Sequence, residues 1–414
     1  MKVIANIALI LVGLLIGLVF AELLTRFFMA VVPAPPGSVY IPDRVIGYRL
    51  RPDPPEILRK DPDNYVNSFG YRDHEHPVQK PEGTFRVVGI GDSFVYGDVT
   101  RLSDHFLQIA ERRAQEKVDA DSPAENLHVE MIMMGVGGYS PEHEVGVLRS
   151  RALPLKPDLV ILNFYVGNDV TAIPIRGKVL RGRLYFAGSP YPTLALLRHS
   201  YLFLMMEGSF LPQLRGTLLR WYLKYLMKQQ PQPEKPAPRP GAVGDSAAAR
   251  IEVSQWHLHV ERKDLPVYLS VPDERMRKLW SQAEGYLDEF DRLCRAAGVP
   301  WILHLIPADL QVDPELRKVV LDDLGLPAER YDFDLPQRRL WAFAAAHRVP
   351  VADPLEALRR GQSSGTRFYR ANDIHWNNRG HELAGKALGD LITEEVQTAR
   401  GIIPVVQPVR SGSR

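Results

Sequence analysis

A chain of 414 residues is long enough for one large domain with additions, or for two. Its 45% hydrophobic and 24% charged residues are those of a folded globular protein, and a formal net charge of +2 (51 basic against 49 acidic residues) argues against a nucleic-acid binder. The single cysteine, Cys294, excludes an intrachain disulfide framework.

Residues 3–21, VIANIALILVGLLIGLVFA, carry no charge and one strongly polar residue, Asn6. That run has the length a bilayer demands of a helix and exceeds the apolar region of a typical signal peptide. No small-x-small cleavage site follows, so 1–30 reads as an uncleaved anchor that holds the body outside the cytoplasm, with a cleaved signal peptide as the alternative. The proline-rich run PAPPGSVYIPDRVIGYRLRPDPPE makes 31–81 a stalk or lead-in.

From about residue 82 the pattern changes. TFRVVGIG predicts a short apolar strand, followed by a helix around 104–117 that Ser103 or Asp104 would cap. LHVEMIMMG (127–135) is a second strand, with a helix over 141–153, and DLVILNFYVG (158–167) is a third. Each run is apolar on both faces, as parallel strands buried under helices are. An interruption spans 171–273. Its first part mixes Arg215, Arg220, Lys224 and Lys228 with Trp221, Tyr222 and Tyr225, and reads as a helical cap over the site or an interfacial membrane helix. Its Pro- and Ala-rich part, 229–249, reads as a disordered linker.

Strand and helix alternate again over 274–400. A long helix covers 274–298, in which Cys294 is a small buried hydrophobe. VPWILHLIP is a strand, 336–347 a helix, RVPVAD a strand and 377–397 the last helix, before a tail at 401–414. The expected class is α/β: a flavodoxin-like, doubly wound parallel sheet built from 82–170 and 274–400, with an N-terminal transmembrane helix and a helical, low-complexity insertion.

In such a sheet ligands bind beyond the carboxyl ends of the strands. The first strand ends at Gly91-Asp92-Ser93, the second runs into GVGGYS (135–140) and the third into VGNDV (166–170). The polar loop NDIHWNNRGHE (372–382) precedes the last helix. A hydroxyl, a glycine turn, an asparagine amide and an Asp-x-His pair are the parts of an acyl-transfer site. Taken singly, Ser93 could be a helix cap, Gly138 a turn glycine, Asn168 a loop brace and His375 a surface histidine. Their coincidence at strand ends carries the reading. His381 is expected to pack on the last helix, and Asp169 to tie down the third loop.

Other patterns are set aside. GQSSG (361–365) follows the helical stretch LEALRR rather than a strand, and Gly244-Asp245-Ser246 lies in the linker. No dinucleotide or phosphate-loop pattern is complete, so no cofactor is expected. The pairs His74-x-His76 and His257-x-His259 lack an evident third ligand and read as solvated loops, so no metal is expected either.

Gly91-Asp92-Ser93 with Gly97, then Gly138-Tyr139-Ser140, Gly167-Asn168-Asp169, and Asp373-Ile374-His375 with Asn377 and Gly380-His381, together resemble the four blocks of the SGNH (GDSL-type) hydrolase family. The likeness covers about 82–170 and 365–397, and the lead-in NSFGYRDHEHPVQKPEGTFRVV resembles that of membrane-anchored bacterial members. It implies Ser93 as nucleophile, His375 as base and Asp373 as acid. The oxyanion donors would be the N–H groups of Ser93 and Gly138 and the Asn168 amide. The sequence departs from the family pattern at Val166, where a glycine is usual, at Met133, where an asparagine is frequent, and at Asn372, the common place of the acid. A variant with the acid two residues before the histidine occurs in the family, and Asp373 fits it. The expected activity is that of a serine esterase on an acyl ester or acylated carbohydrate. The alternatives are O-acyl transfer to an envelope polysaccharide, or a catalytically silent carbohydrate-binding or assembly role.

Overall fold

The computed structural model describes residues 2–31, 39–52, 65–97, 100–121, 126–171, 177–180, 183–186, 200–206, 252–399 and 401. The basic aromatic stretch with Arg215 to Lys228, the linker 229–249 with Ser246, and nearly all of the tail lie outside the described residues. The chain forms two units, Met1–Tyr40 with Arg176–Arg250, and Ile41–Ile175 with Ile251–Arg414.

The first unit holds a helix over Lys2–Val31. Its segment Ala5–Phe28 has a mean hydropathy of 2.8 with none of it buried, and is long and apolar enough to cross a membrane. Near its end Glu22 accepts the N–H groups of Tyr201 and Leu202, both at 3.0 Å, at the start of a short helix Tyr201–Met205. An antiparallel hairpin pairs Gly177–Leu180 with Arg183–Phe186.

The second unit is built on a five-stranded parallel sheet. Its strands are β1 (Thr84–Gly91), β2 (His128–Gly135), β3 (Leu159–Tyr165), β4 (Trp301–Ile306) and β5 (Val351–Ala352), in the spatial order β2-β1-β3-β4-β5. This is the flavodoxin-like order, with its switch point between β1 and β3. Register places Gly91 beside Gly135 on one side and Asn163 on the other. All residues of β3 and β4 are buried, so both faces of the sheet are covered. β5 is shorter than the run RVPVAD suggests, as befits an edge strand.

The helices obey local rules. The helix α1 (Phe106–Asp121) begins later than expected, because Leu102–Asp104 forms a separate 3₁₀ turn and the buried His105 imidazole accepts the Leu107 N–H at 3.2 Å. Neither Ser103 nor Asp104 is its cap. The helix α2 (Pro141–Val147) has Pro141 in its first turn and runs into a π turn, Leu148–Ala152. Further on lies α3 (Gln255–Asp264), capped by the Ser254 side chain. The long α4 (Glu274–Ala297) is capped by Asp273 and stopped by Gly298 at φ 66°. It buries Leu279, Trp280, Ala283, Leu287, Phe290 and Cys294 at helical spacing. Burial, and then the charge of Asp291, push the Cys294 thiol up to about 12, so it is an inert core residue. Then follow α5 (Pro314–Leu324), α6 (Leu335–His347), α7 (Leu355–Ser363) and α8 (Asn378–Ala399). α8 lies close along α1: a Cβ on Gly385 would stand 2.6 Å from the Phe106 carbonyl.

Two expected boundaries are corrected. Residues 41–52 are no stalk, since Tyr48 and Leu50 of the ribbon Tyr40–Asp43/Gly47–Leu50 are fully buried. Proline content is a weak guide where alternate residues are apolar. The stretch 252–273, assigned to the insertion, carries α3 and belongs to the unit of the sheet.

Candidate active site

The first block is a turn held from beneath. After β1, Asp92 accepts the Phe94 N–H at 2.9 Å and caps a single helical turn, Ser93–Tyr96, which Gly97 closes in the left-handed conformation, φ 58°. Buried Arg72 donates to the carbonyls of Tyr96 (3.1 Å), Gly97 (2.7 Å) and Thr100 (2.6 Å). His105, which burial holds down at about 3 and so neutral, donates Nε2–H to the Phe94 carbonyl at 2.9 Å. The charge-assisted bonds of Arg72 and the neutral bond of His105 leave the turn of Ser93 little room to wander.

The last block meets it. His375 stands on a loop tied by the Arg370 N–H to the His375 carbonyl (3.0 Å) and by the Asn377 N–H to the Phe368 carbonyl (2.8 Å). Its neighbour Trp376 is fully buried, and the Phe94 ring lies 5.0 Å from its imidazole. His375 Nε2 is 2.8 Å from Ser93 Oγ, and Nδ1 is 2.6 Å from Asp373 Oδ1, which also accepts the His375 N–H at 3.1 Å. With Nδ1–H donated to the carboxylate, Nε2 is the acceptor that faces the serine hydroxyl. Burial pushes the Asp373 carboxyl up, but the hydrogen bonds and charge of His375, with Arg370 at 3.7 Å, together hold it below the usual range. A hydroxyl, an imidazole and a carboxylate in this chain can pass a proton off the hydroxyl as its oxygen attacks.

The other carboxylate and amide are engaged elsewhere. Asn372 adopts φ 57° and accepts the Ser254 N–H at 2.5 Å, next to α3. Asp169 accepts the Tyr165 N–H at 2.7 Å and closes the loop that carries Asn168. His381 packs in α8 against the Phe106 ring, with Thr100 Oγ1 3.1 Å from its Nε2.

Gly138 takes φ 81° in the turn after β2, a conformation that favours glycine. The Tyr48 hydroxyl, from the former lead-in, donates to the Gly137 carbonyl at 3.2 Å, and Tyr139 returns a bond to the Tyr48 carbonyl at 2.8 Å. Asn168 is half-buried and its Oδ1 has no hydrogen-bond partner. It lies beside Asp92, lowering that acid without reaching hydrogen-bond geometry, since Asp92 Oδ2 is also unpartnered. Burial outweighs the Phe94 N–H, His375 and Asn168, and raises Asp92 to about 6. Beneath it, Glu144 is fully buried with both oxygens unpartnered, and burial followed by the charge of Asp92 pushes its carboxyl well above the usual range.

Sequence reasoning missed this support. Arg72 sits in a segment read as a lead-in, and nothing in its neighbours signals that a guanidinium would be buried under the turn that carries Ser93. One histidine of each pair is also corrected, while His74 and His259 are exposed as expected. His76 is no solvated loop residue: its ring lies 2.9 Å from Asp73 and 3.0 Å from Glu130, whose pull overcomes burial and raises it to about 9. His257 is buried on α3, while His259 on the same helix is exposed. Ser363 lies in α7 and donates to the Arg359 carbonyl at 2.9 Å, as a helix-terminal serine does.

No family model and no curated protein matches the chain. Among solved structures it is similar to an acetyl xylan esterase, at 10% identity over 76% of this chain and 98% of that one, with a TM-score of 0.36. It is similar to a GDSL-like lipase from Bacteroides thetaiotaomicron, at 12% identity over 77% and 92%, TM-score 0.33. A lipase/acylhydrolase from Enterococcus faecalis is similar at 16% identity over 75% and 95%, TM-score 0.33.

Proposed function

We propose that this chain is a serine esterase of the SGNH type, and that it cleaves an acyl ester of an alcohol or carbohydrate. The observation that carries this reading is the continuous hydrogen-bonded run from Ser93 Oγ through His375 to Asp373, at 2.8 and 2.6 Å. Ser93 attacks the acyl carbon while His375 Nε2 takes its proton, and His375 then protonates the departing alkoxide. Asp373 keeps the imidazole in the tautomer that can accept, and stabilises the imidazolium as it forms. The N–H groups of Ser93 and Gly138 and the Asn168 amide receive the developing oxyanion. Water then repeats the sequence on the acyl-enzyme. The first helix anchors the protein, with the sheet domain outside the cytoplasm.

Fluorophosphonate labelling and hydrolysis of short acyl esters test the reading. Ser93→Ala is expected to lose labelling and about 10⁶ in turnover, as removing a triad serine does. Ser363→Ala should match the wild type. Labelling of Ser93→Ala at the wild-type rate would move the nucleophile elsewhere. Amino-terminal sequencing of the membrane fraction tests the anchor; a chain beginning near residue 30 would show a cleaved leader.

A further inference from the structure

A second histidine–carboxylate group lies at the same edge of the sheet, apart from the serine. His257 and Glu261 stand one helical turn apart on α3, and Asp309 follows β4 after Pro307 and Ala308. One ligand atom from each lies within 4.8 Å of the others, with all three residues buried. His257 Nε2 is 3.0 Å from Asp309 Oδ2 and 3.4 Å from Glu261 Oε1. These approaches are close without being aligned as hydrogen bonds. Both ring nitrogens of His257 and Asp309 Oδ2 are buried with no hydrogen-bond partner. The Tyr268 hydroxyl, from the turn after α3, is buried and unpartnered too.

Unpartnered donors and acceptors in a dry site are costly, at about 1–3 kcal/mol each. With both carboxylates ionised, the group carries a buried net charge whether or not the ring is protonated. A divalent cation removes both problems at once: with neutral His257 and two carboxylates it makes a neutral set. The spacing suits one. Ligands about 2.0–2.1 Å from a tetrahedral ion stand roughly 3.3 Å from each other, and the two distances from Nε2 bracket that value. Histidine and glutamate at i and i+4 on one helix face can share an ion.

We propose that His257, Glu261 and Asp309 bind a divalent first-row cation, zinc by this geometry, which clasps α3 to the end of β4. The clasp acts next to the candidate active site. Asp264, at the end of α3, accepts the Thr171 hydroxyl at 2.9 Å, and Thr171 reaches back to the Asn168 carbonyl at 3.3 Å.

The test uses the full-length protein in detergent, stripped with a chelator and then dialysed against zinc alone. Bound metal is measured by elemental mass spectrometry and melting by circular dichroism. The expected result is about one ion per chain with a higher melting temperature. Glu261→Gln and Asp309→Asn should each lose at least tenfold in affinity and most of the thermal shift, while His259→Ala keeps both. A wild type that stays folded yet retains no zinc, or variants that retain it in full, would overturn the proposal. If the variants do not fold, the wild-type titration decides: saturation at one equivalent with a thermal shift upholds the site, and its absence sinks it.

Discussion

His375 and His257 occupy the same edge of one sheet, each beside carboxylates, yet their surroundings differ. The His375 side chain is 21% exposed and that of Asp373 23%, and every polar atom between them and Ser93 lies in a hydrogen-bonded row. His257, Glu261 and Asp309 are at most 3% exposed, and their close approaches are not aligned. The first group pairs one imidazole with one carboxylate and is partly open to solvent. The second pairs one imidazole with two carboxylates and is closed to solvent. Residue type alone does not separate them. Exposure, charge count and alignment do, because proton transfer needs a donor–acceptor row that reaches the substrate, whereas ion binding needs converging lone pairs and dryness.

The largest expected effect removes the acid from the exposed row. Asp373→Asn should lower kcat/KM by about 10⁴, as the corresponding change does in a serine protease, because an amide can donate and so favours the wrong imidazole tautomer. Asn372→Ala should fall within tenfold of wild type, since Asn372 bonds Ser254 and not His375. Both are measured on a short acyl ester at matched melting temperature. Near-normal turnover of Asp373→Asn would erase the distinction between the two groups.

A smaller loss should follow Asn168→Ala, about 10²–10³ in kcat if its amide serves the oxyanion. Zinc retention should not change, because Asn168 touches the clasp only through its own carbonyl and Thr171. A change confined to melting, with kcat intact, would make Asn168 a loop brace.

The smallest effect is one of stability. Asp92 is raised to about 6 when folded, against about 3.9 in an unfolded chain. Between those values the folded state holds more protons, so this group's contribution falls as pH rises from about 4 to 6 and stays low above. Asp92→Asn keeps an oxygen for the Phe94 N–H and removes the buried charge. It should stabilise the protein at pH 8 by up to about 3 kcal/mol, and much less at pH 4. Denaturant melts at the two pH values measure this; an unchanged gap between them would show that Asp92 is not the ionising group.

Much of this was legible in order along the chain. The apolar run TFRVVGIG coincides with the strand Thr84–Gly91, and the runs for the other three long strands and the last helix match within two residues at each end. Apolar runs, Gly298 and Asp273 act over a few neighbouring residues, so their meaning is local and readable. Ser93, Asp373 and His375 are legible because each stands at a strand end or in the loop before the last helix, and because the four blocks together resemble one family's pattern. What the sequence left open is whichever contact joins distant segments. Arg72 reaches carbonyls 24 to 28 residues away, Tyr48 a carbonyl 89 away, and His257 a carboxylate beyond β4. A charged or polar side chain is costly to bury alone and tolerable only when the right partners surround it. Which partners those are is decided when the elements pack, so periodicity and turn chemistry on their own could name the residues that face solvent but not the polar ones that hold them in place.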